Sequence, residues 1–286
     1  MFYAGATTDT RLRFQVDALE QNALQVLCMT RSIKNALAPI SRVPPDVISL
    51  IPEYCETGQE LIALTHVRRS WREILISRAS LWTLLDCMDL DKTYTYIQRS
   101  RGSPLEISFT LPERRKSHAA FYLTLPFIHR FKALTLSGYS SGILGLTKHL
   151  GSPAPLLEKL VIRVRDASIA VIGNTFFDGN LSSLRELRLH GVITDLLWKN
   201  MANVTTFDFR QIPDDEISMT QLLDFFEHAP LLREIKLVDS LPWSSNAPVE
   251  RTVFLPHLRL FRIRAWPVHS ILLNHLHIPI GALVTM

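Results

Sequence analysis

Beyond Ser100 the apolar residues fall into short runs that share one template: apolar, two variable positions, apolar, one variable, apolar. Phe131, Leu134 and Leu136 form the first run, Leu157, Leu160 and Ile162 the second, and Leu184, Leu187 and Leu189 the third. Val204, Phe207 and Phe209 follow, then Leu232, Ile235 and Leu237, and last Leu258, Phe261 and Ile263. The runs begin 26, 27, 20, 28 and 26 residues apart. In each run the spaced apolar side chains point inward along a short strand, and neighbouring strands pair to extend a sheet. Leu105-Glu106-Ile107-Ser108-Phe109 fits the later slots and predicts an earlier, irregular strand of the same stack. Helix-like stretches between runs, Thr194 to Trp198 and Gln221 to Phe226, are expected to cover the outer side of the sheet. The pattern predicts an α/β solenoid in which no single repeat is stable alone.

The N-terminal part follows a different period. Val16, Leu19, Ala23, Val26, Thr30, Ile33 and Leu37 step by alternating threes and fours, which places one stripe along a helix that Pro39 must end. With Ala and Thr in the seam, the stripe is expected to dock on a neighbouring element. From Ile40 to Asp86 the chain reads as short helices with clear punctuation. Pro44-Pro45-Asp46 opens the first, Gly58 interrupts, and Leu61, Leu64, Val67 and Trp71 supply further apolar faces. Pro52 lies where the first helix should continue, so a kink or an end is expected near Ile51.

Composition narrows the function classes. The 286 residues are 47% hydrophobic and 20% charged, as in a folded protein rather than a disordered one. The net charge of +4 comes from 31 basic and 27 acidic residues whose signs are interspersed, which argues against a nucleic-acid partner. The densest run, Arg114-Arg115-Lys116, reads as a solvated loop. Cys28, Cys55 and Cys87 are an odd set without CxxC spacing, consistent with a reducing compartment. No signal peptide or membrane span is read, so a soluble protein of the cytoplasm or nucleus is expected.

Val43 to Trp82 resembles the F-box, and the chain as a whole resembles F-box proteins with degenerate leucine-rich repeats, abundant in mushroom-forming fungi. Val43-Pro44 with Asp46, Ile48 and Ile51 matches the opening of the motif. Leu61, Leu64, Val67 and Trp71-Arg72 match its second half, and Ser80-Leu81-Trp82 its closing step. Arg68 stands where the family usually has Cys. The repeat interval falls within the roughly 20–29 residues of leucine-rich repeats. The usual Asn or Cys of the ninth slot is replaced by Tyr139, Arg165, Val192, Ile212, Ser240 and Trp266, so the turns must be satisfied in another way.

The resemblance implies an N-terminal helix (9–39), an F-box domain (40–86) and a leucine-rich-repeat-like domain (100–286). It further implies a substrate adaptor of a ubiquitin ligase, with the F-box docked on the Skp adaptor and through it on a cullin. The repeats would hold a target protein, with no catalytic step, cofactor or metal. Pro44, Ile48, Ile51, Leu64, Val67 and Trp71 are then the expected adaptor contacts, although for Leu64, as for Leu61, a purely internal role remains equally open. The chain ends soon after the sixth run without an evident polar capping repeat, which suggests a shortened product.

Two alternatives come from other classes. One is a repeat-based scaffold whose F-box no longer recruits a ligase. The other is a serine hydrolase, because Gly138-Tyr139-Ser140-Ser141-Gly142 fits GxSxG between a strand and an apolar segment. Asp195 or Asp214 and His228 or His257 would complete a triad in order. His275 and His277 lack nearby carboxylate or thiol partners in sequence and read as surface or contact residues. Asp214-Asp215-Glu216 after Pro213 reads as a turn into a helix.

Overall fold

The computed structural model describes residues 4–55, 58–111, 118–173, 176–194, 201–212, 217–239, 251–264 and 269–285. The chain forms two compact units, Met1–Leu75 and Ile76–Met286.

In the first unit α1 (Ala4–Leu37) stops two residues ahead of Pro39, and a 3-10 turn follows at Pro39–Arg42. α2 (Pro45–Leu50) starts with two prolines in positions that need no backbone donor and an acid, Asp46, in the first turn. Ile51–Tyr54 continues as a 3-10 turn. Pro52 sits in its first turn, where its missing N–H costs nothing, so the α-helix ends just where an interior proline would break it. α3 (Gly58–Val67) and α4 (Arg69–Ser77) complete this part, α4 running across the division at Leu75. The seam of α1 differs from expectation. Every residue from Thr10 to Leu37 is exposed, including Val16, Leu19, Val26 and Ile33 at 60% or more. Among the described residues of the first unit, no element covers the stripe.

The second unit is mixed α/β around one large parallel sheet. Its elements are β1 (Leu84–Leu85), α5 (Leu90–Ser100), β2 (Leu105–Thr110), α6 (Ala119–Tyr122), β3 (Phe131–Gly138), α7 (Ser140–Thr147), β4 (Lys159–Val164) and β5 (Ala170–Ile172). They continue with β6 (Glu186–His190), β7 (Val192–Thr194), β8 (Thr206–Arg210), α8 (Met219–His228), β9 (Glu234–Val238), β10 (Val253–Phe254), β11 (Leu260–Arg264), α9 (His269–Asn274), β12 (Leu276–His277) and β13 (Leu283–Thr285). The main sheet has the order β1-β2-β3-β4-β6-β8-β9-β11-β13, and every adjacent pair is parallel. Two small parallel pairs, β5 with β7 and β10 with β12, stand beside it.

Register explains why the template recurs. Leu134, Leu160, Leu187, Phe207, Ile235 and Phe261 lie on one transverse row, and Leu136, Ile162, Leu189, Phe209, Leu237 and Ile263 on the next. All of the template positions, opening residues included, are at most 2% exposed. Burying each such side chain contributes about 1.5–3 kcal/mol, and a strand gains it only when its neighbours supply the wall. Helical segments cover this face: Phe225 of α8 lies 4.4 Å from Phe207, and Phe121 of α6 stacks 5.3 Å from Phe109. α8 starts with a full capping box, Ser218 and Gln221 each bonding the other's backbone N–H. The segment 195–200, expected to be helix-like, lies outside the described residues.

One recurring device escaped the template. Each opening residue donates its N–H to the carbonyl three residues earlier: Phe131 to Ile128, Leu157 to Ala154, Leu184 to Leu181. Val204, Leu232 and Leu258 do the same to Met201, Ala229 and Leu255. These acceptor residues are all apolar and at most 3% exposed, so an inward turn precedes each strand. At the other strand end the backbone ladder continues past the sheet, Arg165 to Gly138, Gln211 to Val238 and Asp239 to Arg264. Neighbouring main chain thus satisfies the groups that an Asn ladder would otherwise serve. Ser240 and Trp266 lie outside the described residues. β13, pairing Leu283 with Leu260, is a further strand that the template did not reveal.

Trp82 belongs with this second unit. It is fully buried, edge-on to Tyr96 at 5.0 Å, with the Arg99 guanidinium 4.3 Å over its ring. Arg130, 7% exposed, closes the end of α5 by donating to the Ser100 hydroxyl and the Ser103 carbonyl.

Candidate functional site

The six expected adaptor contacts separate by burial. Ile48 and Trp71 are 4% and 5% exposed, Ile51 and Leu64 are half-buried, and Pro44 and Val67 are exposed. Leu61, at 6%, lies inside. The buried members offer a partner little side-chain surface. What the helical unit does expose is a line missed by motif matching: Val47 at 48%, Leu50 at 46% and Tyr54 at 87%. Their spacing of three and four residues puts them on one side of the α2 and 3-10 segment. That spacing was present in the sequence and could have been read as a second face.

In the second unit the sheet face opposite the leucines is mostly polar and carries no helix residue in its rows; its side chains are half-buried to exposed, apart from the buried Val161 and Asp208. Its residues occupy the third, fifth and seventh positions of each run, and register collects them into three rows. The row at the strands' N-terminal ends holds Glu106, Ala133, Lys159, Glu186, Thr206, Glu234 and Leu260. The middle row holds Thr135, Val161, Arg188, Asp208, Lys236 and Arg262. The row at the C-terminal ends reads Ser137, Arg163, His190, Arg210, Val238 and Arg264. The rows differ in sign: all the glutamates of this face sit in the first row, and the third row holds no acid.

Asp208 is the fixed point of this face. It is 1% exposed, yet Arg210 donates to it from Nε to Oδ1 at 2.6 Å and from Nη2 to Oδ2 at 2.7 Å. Burial by itself raises the carboxyl. The polar groups of His190 and Arg210 and the Arg210 charge overcome that and hold it well below the usual carboxylate range. His190 Nε2 stands 3.6 Å from Oδ1, too far for a hydrogen bond but close enough for its dipole to act. Elsewhere Arg188 Nε reaches Glu186 at 2.6 Å and Lys236 Nζ reaches Glu234 at 3.4 Å. A shallow groove of about 250 Å³ runs past Glu106, Lys132, Glu158, Lys159, Arg185 and Glu186.

The GxSxG segment has a structural role. Ser140 starts α7, and its N–H and hydroxyl both donate to Asp166, at 3.0 and 3.1 Å. Its hydroxyl is thus directed at a carboxylate and not at an imidazole. The two flanking glycines admit Leu111: a Cβ on Gly138 would stand 2.6 Å from Leu111 Cβ, and one on Gly142 2.6 Å from Leu111 Cδ2. Gly138→Ala is therefore expected to destabilise the fold by about 1–3 kcal/mol, since the facing Cβ sits on backbone and cannot swing away. A denaturation midpoint unchanged from wild type would contradict this account of the glycine. Of the other triad candidates, His228 Nδ1 lies 2.7 Å from the Asp224 carbonyl of its own helix. Asp195 and Asp214, with Asp215 and Glu216, fall outside the described residues.

His275 is 8% exposed with Nδ1 2.8 Å from the Arg251 carbonyl, and His277 packs its ring 5.0 Å from Phe254. Among the described residues no three His, Cys, Asp or Glu side chains converge to hold a metal. The three thiols are free, and burial pushes that of Cys87 up to about 12. No described helix is long and apolar enough to cross a membrane. Neither models of known families nor curated proteins match this chain.

Proposed function

We propose that the protein is a substrate-recognition adaptor of a Skp-cullin-F-box ubiquitin ligase: the helical unit docks on the Skp adaptor, and the repeated sheet holds a target protein. The reading rests on one juxtaposition. A small helical unit with F-box-like residues exposes an aliphatic and aromatic line, Val47, Leu50 and Tyr54, with Pro44 and Val67 also exposed. It precedes a sheet of serially paired, leucine-backed parallel strands, which supports reading this part as a leucine-rich-repeat-like solenoid. Interfaces of this kind draw most of their energy from a few aliphatic or aromatic anchors. Nothing in the geometry around Ser140 demands a catalytic step. In this reading Ile48 and Trp71 support the docking surface from within, and Pro44, Val47, Leu50 and Val67 meet the partner.

Val47→Asp and Leu50→Asp are each expected to weaken binding of the purified chain to the Skp adaptor by about tenfold or more, with thermal stability unchanged. Ile48→Asp and Trp71→Asp should instead lower stability, because each puts a charge at a buried position. Equal adaptor affinity for wild type and both surface variants would remove the assigned contact. The burial of Ile48 and Trp71 favours one second reading, a protein-binding scaffold that recruits no ligase, and complete absence of adaptor binding would select it.

A further inference from the structure

The chain's surplus of positive charge is concentrated on the polar sheet face from β4 to β11. The seventh-position row contributes Arg163, Arg210 and Arg264, and the fifth-position row Arg188, Lys236 and Arg262. With Lys159 these are seven bases against three acids, Glu186, Asp208 and Glu234, a surplus equal to the whole chain's +4. The acids are already engaged, with Arg188, Arg210 and Lys236 respectively. Arg163 and Arg264 are exposed and have no side-chain partner among the described residues. They stand in one row, four strand steps apart, a separation of roughly 19 Å at the usual strand spacing. His190 and Arg210 lie between them in the same row.

We infer that this row binds an acidic, extended peptide segment of the target protein, crossing the strands at their C-terminal ends. The inference rests on the reading of the sheet as the target-holding part, and it deepens that reading by naming the class of segment held. Arginine offers a planar fork matched to carboxylates, and two unpaired arginines at fixed separation set a register. An extended chain advances about 3.3 Å per residue, so acids about six residues apart meet both. A nucleic acid fits less well. Apart from Lys159 the bases occupy only two adjacent rows, and the glutamate row lies two residues along the strands from the nearer of them, about 7 Å away. A phosphate-dense polyanion would extend over those glutamates, whereas a single acidic segment need not.

The test uses the full chain and a fluorescein-labelled peptide with two Glu pairs about six residues apart, followed by fluorescence polarisation at low salt. Comparison probes are the same peptide with Gln for Glu and a single-stranded oligonucleotide of equal net charge. Wild type should bind the Glu peptide in preference to both, with affinity falling as salt rises. The double variant Arg163→Glu with Arg264→Glu should lose about tenfold or more, since two attractions become repulsions. The gentler Arg163→Gln with Arg264→Gln should lose less, and Arg11→Glu with Arg31→Glu on α1, a matched change of charge, should have no effect. Equal affinity for Glu and Gln peptides, no binding by wild type, or no loss in the double variant would overturn the proposal. Tighter binding of the oligonucleotide would overturn it in favour of a nucleic-acid ligand. Adaptor binding through Val47 and Leu50 is read on a different unit, so the failure of either idea is told apart from that of the other.

Discussion

Phe207→Ala is expected to destabilise the sheet unit by about 3–5 kcal/mol. The ring is 1% exposed and sits among three others: Phe225 at 4.4 Å, Phe209 at 5.5 Å and Phe226 at 6.4 Å. Its removal withdraws the side that α8 packs against and leaves a cavity bordered by rings that cannot easily collapse into it. Phe207 also stands in the transverse row between Leu187 and Ile235, so two neighbouring strands lose a wall together. For a unit of this size the change corresponds to a fall of roughly 10 °C in Tm. Tyr94→Ala, at a 56% exposed position, should stay within about 0.5 kcal/mol and serves as the control. Comparable urea midpoints for the two variants would show that the aromatic cluster does not hold the sheet.

The second large effect concerns Asp208. Asp208→Ala leaves the Arg210 guanidinium without its paired carboxylate on a partly buried face, at an expected cost of about 2–3 kcal/mol. The figure is below that for a fully enclosed pair because the Arg210 side chain remains 38% exposed and can turn to water. The pH dependence has a definite sign. The folded-state value of Asp208 is depressed, so its stabilisation is complete above the unfolded-state value near pH ~4 and is lost as pH falls from there through the depressed value. Wild type should therefore lose more stability between pH 7 and pH 3 than Asp208→Asn, compared by urea midpoint. Parallel acid losses in the two proteins would show that Asp208 does not contribute in this way.

Much of the sheet was legible because burial on one face forces a strict local code. The template named two inward positions on each of six strands, though not Gly138 and Val164, which extend the inward face of β3 and β4, and the irregular run at Leu105 to Phe109 forms β2 with a register shift beside Leu105. The edges were not legible. β1 and β13 are short, and Leu84 and Leu283 are 63% and 61% exposed, so neither leaves an alternating apolar trace. The polar rows were hidden for a different reason: a residue's row depends on pairing between strands, which linear spacing of charges does not encode. In the helical unit the sequence pattern did not say which side of α2 faces inward. Ile48 fits the motif and is buried, whereas Val47 beside it is exposed. The α1 seam shows the limit of periodicity. It specifies a stripe and says nothing of whether the same chain provides anything to cover it.

The spacing between runs varies from 20 to 28 residues, yet the rows from β3 to β11 pair residue for residue without a slip. Length is therefore a free variable in the connections and a forbidden one within the strands. Adding or deleting a single residue inside β6, for example, would turn its leucines outward and its charges into the core. Sequence drift in such a protein is channelled to the crossovers, where the chain can lengthen or shorten while the arrangement of side chains on the polar face is inherited intact.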